Sequence, residues 1–580
     1  MKILPLAVLL GAFAANAALA AEPVAPVAVK PRTVPAKAER TQSMPVLPLT
    51  AAELPAGQVA YQVLLAEIGL RRGYGELALS VYAELAMRSR DPQVLARAVE
   101  VAGFTRRLDV AYELAQLWVE TEPESTEARQ TLVGVMVMLN RIDELQPHLV
   151  RLLEQDKDNL ADNLVRLNRM FVRQQDKAAV FRLIERVTAP YGQVAEAHYA
   201  LAQAALANGD RAQALSSVRR AQELRPEWES PVLLEAQITA SEAPAQVVSL
   251  LERYLRRYPA AKDVRLHLAR AYVGDKRYAD ASAEFRRLLR DFPNNVEVVY
   301  PVAILALQQN DLDTAEAQLK HLLELDFGDR GVVNYYLGQV MEARHQDRAA
   351  IDYYAQVGLG DSFVSARNRQ AVLLTREGRL GDARLVLQQA AAIHPSQRVA
   401  FGQVEAQLLR DAKQFPAALE LLEQLLKKHP GNPDLLYDSA LVADRLDKVE
   451  LVEERLRQVI AQQPDNAHAY NALGYTFAER NLRLEEAREL VARALALSPG
   501  DAFIIDSMGW VLYRQGDLSG ALSQLQKAYA IRQDPEIAAH LGEVLWVLGR
   551  QDEARRVLRE AVRLNPDNEA LAAAAKKFLP

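Results

Sequence analysis

The chain contains no cysteine, which removes disulfides, thiolate metal sites, thiol nucleophiles and an acylated N-terminal cysteine together. It also lacks an excess of charge of either sign. With 69 Lys and Arg against 75 Asp and Glu the formal net charge is −6. There is no basic footprint of the kind a phosphate backbone demands, and no nucleic-acid partner is expected. Aromatic residues make up only 6%, and glycines number 26. Beyond the N-terminus no run is long and apolar enough to span a bilayer. What is plentiful is alanine, leucine and arginine in a sequence that is half hydrophobic, the composition of helices with small residues at close contacts. At 580 residues the chain exceeds a single core of roughly 100–200 residues, which leaves several domains or a repeat array.

The N-terminus bears on location. Met1-Lys2 is followed by an almost wholly apolar stretch from Ile3 to Ala20 that closes on the small-x-small pattern Ala18-Leu19-Ala20. This predicts a secretory signal peptide over residues 1–20, cut after Ala20. The apolar core is shorter than the roughly 20 residues a spanning helix needs, and Pro/Ala-rich coil rather than positive charge follows it, so a membrane anchor is disfavoured. The expected compartment is the periplasm, peripheral to the outer membrane at most. With no disulfide available there, stability must come from packing alone. Residues 21–57 hold seven prolines and no helical period, as expected of a flexible to semi-extended tether.

The remainder is one pattern written many times. The stretch HAYNALGYTFAERNLRLEEARELVARALALSPGD from His468 returns in altered form from Phe503 and from Glu536. In each copy a Leu/Met-Gly pair (Leu473-Gly474, Met508-Gly509, Leu541-Gly542) precedes an alanine (Ala487, Ala521, Ala554), and a second alanine follows (Ala494, Ala528, Ala561). Pro499 and Pro566 close two of the three. Large residues at i, i+3 and i+7 make a buried stripe on a first helix, and a small residue on each helix lets the antiparallel pair approach closely. Proline then stops the second helix. Walked backwards, the phase gives units starting near Val59, Pro92, Thr126, Leu160, Ala195, Glu229, Lys262, Val296, Gly331, Val364, Val399, Pro433, Ala467, Ala502 and Pro535. Closing prolines recur from Pro123 to Pro566, and the second-helix alanine recurs from Ala78 to Ala418.

With its spacing of about 34 residues this pattern resembles the tetratricopeptide repeat. The resemblance implies an all-α solenoid, a right-handed superhelix of about fifteen antiparallel helix pairs. The expected organisation is N-terminal helical repeats over residues 58–194, a regular array over 195–568 and a capping helix over 569–580. Two units depart from the pattern: the Leu160 unit lacks a clean small-residue pair, and the Glu229 unit is a residue short with Pro244 in its internal turn.

No catalytic constellation stands out, and no enzyme, metal or cofactor is expected. The nine histidines form no His-Glu-x-x-His signature. His468 and His540 are read as surface or satisfied residues, and Glu485-Glu486 as a solvated first turn. Function is therefore expected from a surface. In the family resembled, ligand contacts come from unit positions 2, 5, 9 and 12 of the first helices. Position 5 here gives Tyr199, Tyr300, Tyr335, Asn368, Tyr437, Asn471 and Asp506, while positions 9 and 12 add Tyr475, Trp510, Tyr513 and Trp546. Aromatic and amide groups suit a peptide ligand; the alternative is that the tyrosines pack neighbouring units. The family's carboxylate clamp is incomplete, since Asn368 and Asn471 lack accompanying lysines. The resemblance extends to exported proteobacterial scaffolds such as the outer-membrane adaptor of carboxyl-terminal processing proteases, which delivers cell-wall hydrolases to the protease. The adaptor is a lipoprotein, and this chain has no cysteine to acylate. The second class is an assembly or export component of an envelope system, in exopolysaccharide secretion or outer-membrane biogenesis.

Overall fold

The computed structural model describes residues 56–579, apart from Asp326 and Asp567. The expected signal peptide, and the tether up to residue 55, lie outside the described residues. Ala56 and Gly57, assigned to the tether, instead open the first described helix, Ala56–Arg71. Among the described residues there are thirty-one α-helices and no strand, as the repeat pattern predicts. No helix among them is long and apolar enough to cross a membrane.

The described residues fall into two compact units that meet between residues 309 and 310 of the sequence. The N-terminal unit holds seven helix pairs, from Ala56–Arg71 with Gly75–Ser89 to Lys262–Gly274 with Tyr278–Asp291, and then the helix Val296–Gln308. The C-terminal unit opens with Leu312–Glu324 and continues through seven pairs, from Arg330–Ala343 with Asp347–Ala355 to Pro535–Val547 with Gln551–Leu564, ending on Glu569–Phe578.

The sequence between pairs is built for stopping one helix and starting the next. After Pro464, Asn466 accepts the Ala469 amide proton at 3.0 Å. After Pro499, Asp501 accepts from Phe503 and Ile504 at 2.8 and 3.2 Å. Such side chains satisfy amides that the first turn leaves without partners. Within a pair, the small residues do what the spacing requires. Ala487, Ala494, Ala521, Ala528 and Ala554 are wholly buried. A Cβ placed on Gly474 would sit 2.7 Å from Val491 Cγ2 and 2.9 Å from the Ala487 carbonyl oxygen, so only glycine permits that approach.

The two irregular units differ from the rest in different ways. The Leu160 unit has a first helix of only seven residues, Leu160–Arg166, which tightens into a 3-10 segment, Leu167–Phe171. Pro244, expected in a turn, instead opens the helix Pro244–Arg257, where its missing N–H leaves no bond unmade.

Candidate partner-binding groove

In the C-terminal unit, first helices of consecutive pairs line a groove of about 660 Å³. Phe363–Arg376 contributes Asn368, Arg369 and Val372; Arg398–Asp411 contributes Ala400, Gln403, Val404 and Arg410; Pro433–Asp444 contributes Asp438 and Val442. Each helix buries its other face: in Arg398–Asp411, Phe401 and Leu409 are buried, and a Cβ on Gly402 would meet Leu425 Cδ1 at 2.5 Å. The residues left over point into the open side.

The groove combines an apolar floor with amides and charges of both signs. At one end Arg369 Nε donates to Glu342 Oε2 at 2.8 Å and to the Tyr354 hydroxyl at 3.1 Å, and that hydroxyl donates to the same carboxylate at 3.0 Å. Burial and the Glu342 charge hold the Tyr354 phenol protonated far above its ordinary range. In the middle Gln403 Nε2 donates to Asp438 Oδ2 at 2.9 Å, and Arg410 donates to Gln407, whose own amide donates to Asp411 at 2.6 Å. Asn368 Oδ1 is buried without a hydrogen-bond partner. An acceptor left so costs about 1–3 kcal/mol and is ready for an N–H that a ligand brings. Beyond Gln403 and Asp438 a smaller cavity of about 260 Å³ is lined by Tyr437, Asn466 and His468. Burial and the Asp438 charge raise the Tyr437 phenol pKa.

The eleven expected contact residues do not form one site. Tyr199 and Tyr300 belong to the N-terminal unit. Tyr199 is half-buried with its ring 4.8 Å from Trp228. Tyr300 is only 4% exposed, on a helix buried on nearly every side, which corrects its reading as a groove contact. In the C-terminal unit Asn368 and Tyr437 line the two cavities. Tyr335 packs edge-on to Tyr336 and lies 5.9 Å from Tyr354. Asn471 is half-buried with an unpartnered Oδ1. Trp546 packs on Phe578 of the final helix at 5.4 Å.

Tyr475, Asp506 and Trp510 gather around His540, and Tyr513 packs on Trp510 with ring centroids 5.0 Å apart. His540 Nδ1 lies 3.0 Å from Asp506 Oδ2, and Trp510 stacks on the imidazole at 4.1 Å. Trp510 Nε1 donates to Glu479 at 2.6 Å, and the Tyr513 hydroxyl donates to Glu543 at 3.2 Å. Tyr475 is half-buried, its ring 6.1 Å from the imidazole. Asp506 and Trp510 are each 5% exposed. Both are therefore corrected from groove contacts to packing between consecutive pairs, and His540 is the satisfied histidine that was expected.

Gln403, Arg410 and Glu342 line the groove without being among the expected contacts, although the repeat register reaches them. They occupy position 5 of the Val399 unit and position 12 of the Val399 and Gly331 units. Asp438 and Arg369, one residue beyond position 5, carried no such signal.

Stacked helix pairs with an open, amide-lined face define an α-solenoid interaction scaffold, a class that acts through its surface. Tetratricopeptide repeat profiles match residues 195–227, 239–292, 273–334, 329–398, 409–474, 453–502 and 507–569. A TPR repeat-containing protein of Pseudomonas aeruginosa is 32% identical over 487 residues, 83% of this chain and 82% of that protein. The chain belongs to the tetratricopeptide repeat family. Cellulose synthase operon protein C of Pseudomonas fluorescens is 24% identical over 344 residues, 54% of this chain but only 26% of that protein. Among solved structures, the Cut9–Hcn1 hetero-tetramer of the APC/C is 14% identical, covering 90% of this chain and 97% of that one at a TM-score of 0.33, too low to bear on function.

Proposed function

We propose that this protein is a non-catalytic adaptor, exported to the periplasm, that binds an extended segment of a protein partner in the C-terminal groove. The observation that carries the reading is Asn368, whose buried, unpartnered Oδ1 belongs to a residue lining the groove above an apolar floor. A peptide supplies a backbone N–H for Asn368 and an acceptor for Arg410, while its side chains cover Val372, Val404 and Val442. The finer proposal is that the chain brings substrates, cell-wall hydrolases among them, to a carboxyl-terminal processing protease, the role implied by the repeat resemblance. The match to a cellulose synthase operon protein supports a second reading, a component of an exopolysaccharide export system. Capture from periplasmic extract with the full chain, beside Asn368→Ala and Arg410→Ala variants, tests this. A serine protease and hydrolases lost from both variants support the first reading, and polysaccharide machinery supports the second. Capture unaffected by either variant sinks the groove.

A further inference from the structure

The first described helix, Ala56–Arg71, carries Tyr61, Leu64, Leu65 and Ile68 exposed at 65, 60, 39 and 42%. Their spacing of i, i+3, i+4 and i+7 puts them in one stripe. The opposite side is the packed one: Ala66 is 1% exposed, and a Cβ on Gly69 would touch Ala78. Elsewhere the exposed large apolar side chains, such as Phe104, Met138, Leu359 and Leu564, are scattered along the chain, whereas four stand together on this one helix. Tyr74 and Leu77, just beyond this helix, are also more than half exposed. A contiguous face of this kind marks an interaction site.

We propose that this face is where two copies of the chain meet, first helix against first helix, antiparallel about a two-fold axis between Leu64 and Leu65. In an isologous contact residue i meets j while j meets i. Tyr61 and Ile68 are equally far from the midpoint between Leu64 and Leu65. One register therefore sets each Tyr61 on the partner copy's Ile68 and each Leu64 on the partner copy's Leu65. The electrostatics fit the same register. The helix has only two charged residues, Glu67 and Arg71. Glu67 is engaged inward, accepting from the Tyr82 hydroxyl and Arg97 Nε, each at 2.8 Å. Arg71 falls opposite Gln58, whose amide oxygen accepts from a guanidinium. A parallel pairing would set Arg71 on Arg71 instead, and a strongly basic partner would find no free carboxylate along the stripe, because Glu67 is engaged inward. One stripe per copy is small beside the roughly 800 Å² per partner of a standard interface, so association in the micromolar range is expected. The stripe belongs to the N-terminal unit and the groove to the C-terminal one.

The absence of native cysteine makes the test clean. Tyr61→Cys and Ile68→Cys are made as separate single-thiol variants of the full chain. Two copies of residue 61, or of residue 68, would lie roughly 10 Å apart along the helices, beyond the Cα separation of about 7 Å that a disulfide tolerates. Under mild oxidation the mixture of the two variants should give a covalent dimer that neither variant gives alone. Light scattering of the unmodified chain above micromolar concentration should report twice the chain mass, and Leu64→Glu should halve it with helical content unchanged. If Leu64→Glu fails to fold, the thiol mixture still decides. A monomer at high concentration, with no cross-link in the mixture, overturns the proposal and leaves the stripe to another protein or to residues 44–55 of the same chain. Cross-linking of the single variants alone overturns the antiparallel register.

Discussion

His540 shows how a single residue is set by its neighbours. Burial alone would lower the imidazole pKa, but the Asp506 carboxylate, with Glu479 and Glu536 nearby, holds it above its ordinary 6.5. A group raised in the folded state contributes stability that is fully present below its unfolded pKa and is lost as pH rises through the folded one. Denaturant unfolding of the C-terminal unit should therefore show stability falling as pH is taken upward from about 6.5, and His540→Gln should remove that part of the slope. His540→Ala, which strands the Asp506 charge, should cost about 3–5 kcal/mol. A slope unchanged in His540→Gln would mean the pair does not bind a proton as described. The tyrosines divide on the same principle of surroundings. Tyr300→Ala empties a buried site and should cost about 3–5 kcal/mol of stability. Tyr437→Ala, at the half-buried wall of the smaller cavity, should weaken partner binding by more than about 1 kcal/mol with a smaller loss of stability. Melting curves and binding titrations on both variants check the division.

At the scale of elements, close approach outweighs helix propensity. Alanine is favoured over glycine inside a helix by about 1 kcal/mol, yet a Cβ at Gly474 meets a backbone carbonyl at 2.9 Å, which cannot swing away as a side-chain end can. Overpacking of this kind costs about 1–3 kcal/mol, so Gly474→Ala should destabilise on balance. Ala521→Leu, at a wholly buried site facing Gly509, should do so by a similar amount or more. Stabilisation in either variant would show that the pair can open without loss. The Leu160 element shows the opposite case. Without a small-residue pair its first helix stops after seven residues and continues as 3-10 turns, and the irregularity legible in its composition became an irregularity of backbone.

For the whole molecule, repeats contact mainly their neighbours, and stability is close to a sum of local terms. Hydrogen exchange on the full-length Ala521→Leu variant should show protection lost across residues 467–578 and unchanged within residues 56–200. Loss spread through both units would mean that the chain unfolds as one cooperative body. Circular dichroism should show helix throughout the described region, with no strand.

The sequence by itself determined the period, the helices and their phase. First helices begin at Pro92, Thr126, Ala195, Lys262, Pro433, Ala467, Ala502 and Pro535, where the pattern puts them. Proline stops, side-chain caps and buried alanines act within one pair, so they are written in adjacent residues. It determined much less about the groove. Position counting reached Asn368 directly and held Gln403 and Arg410 in reach, because inward register is a property of one helix. Whether an inward residue stays open or is covered depends on the next pair. Asp506 shares the register of Asn368, yet His540, thirty-four residues on from Asp506, packs over it and over Trp510 and closes that stretch. Only the tertiary structure decided this, because burial belongs to a residue together with neighbours that its own repeat does not encode.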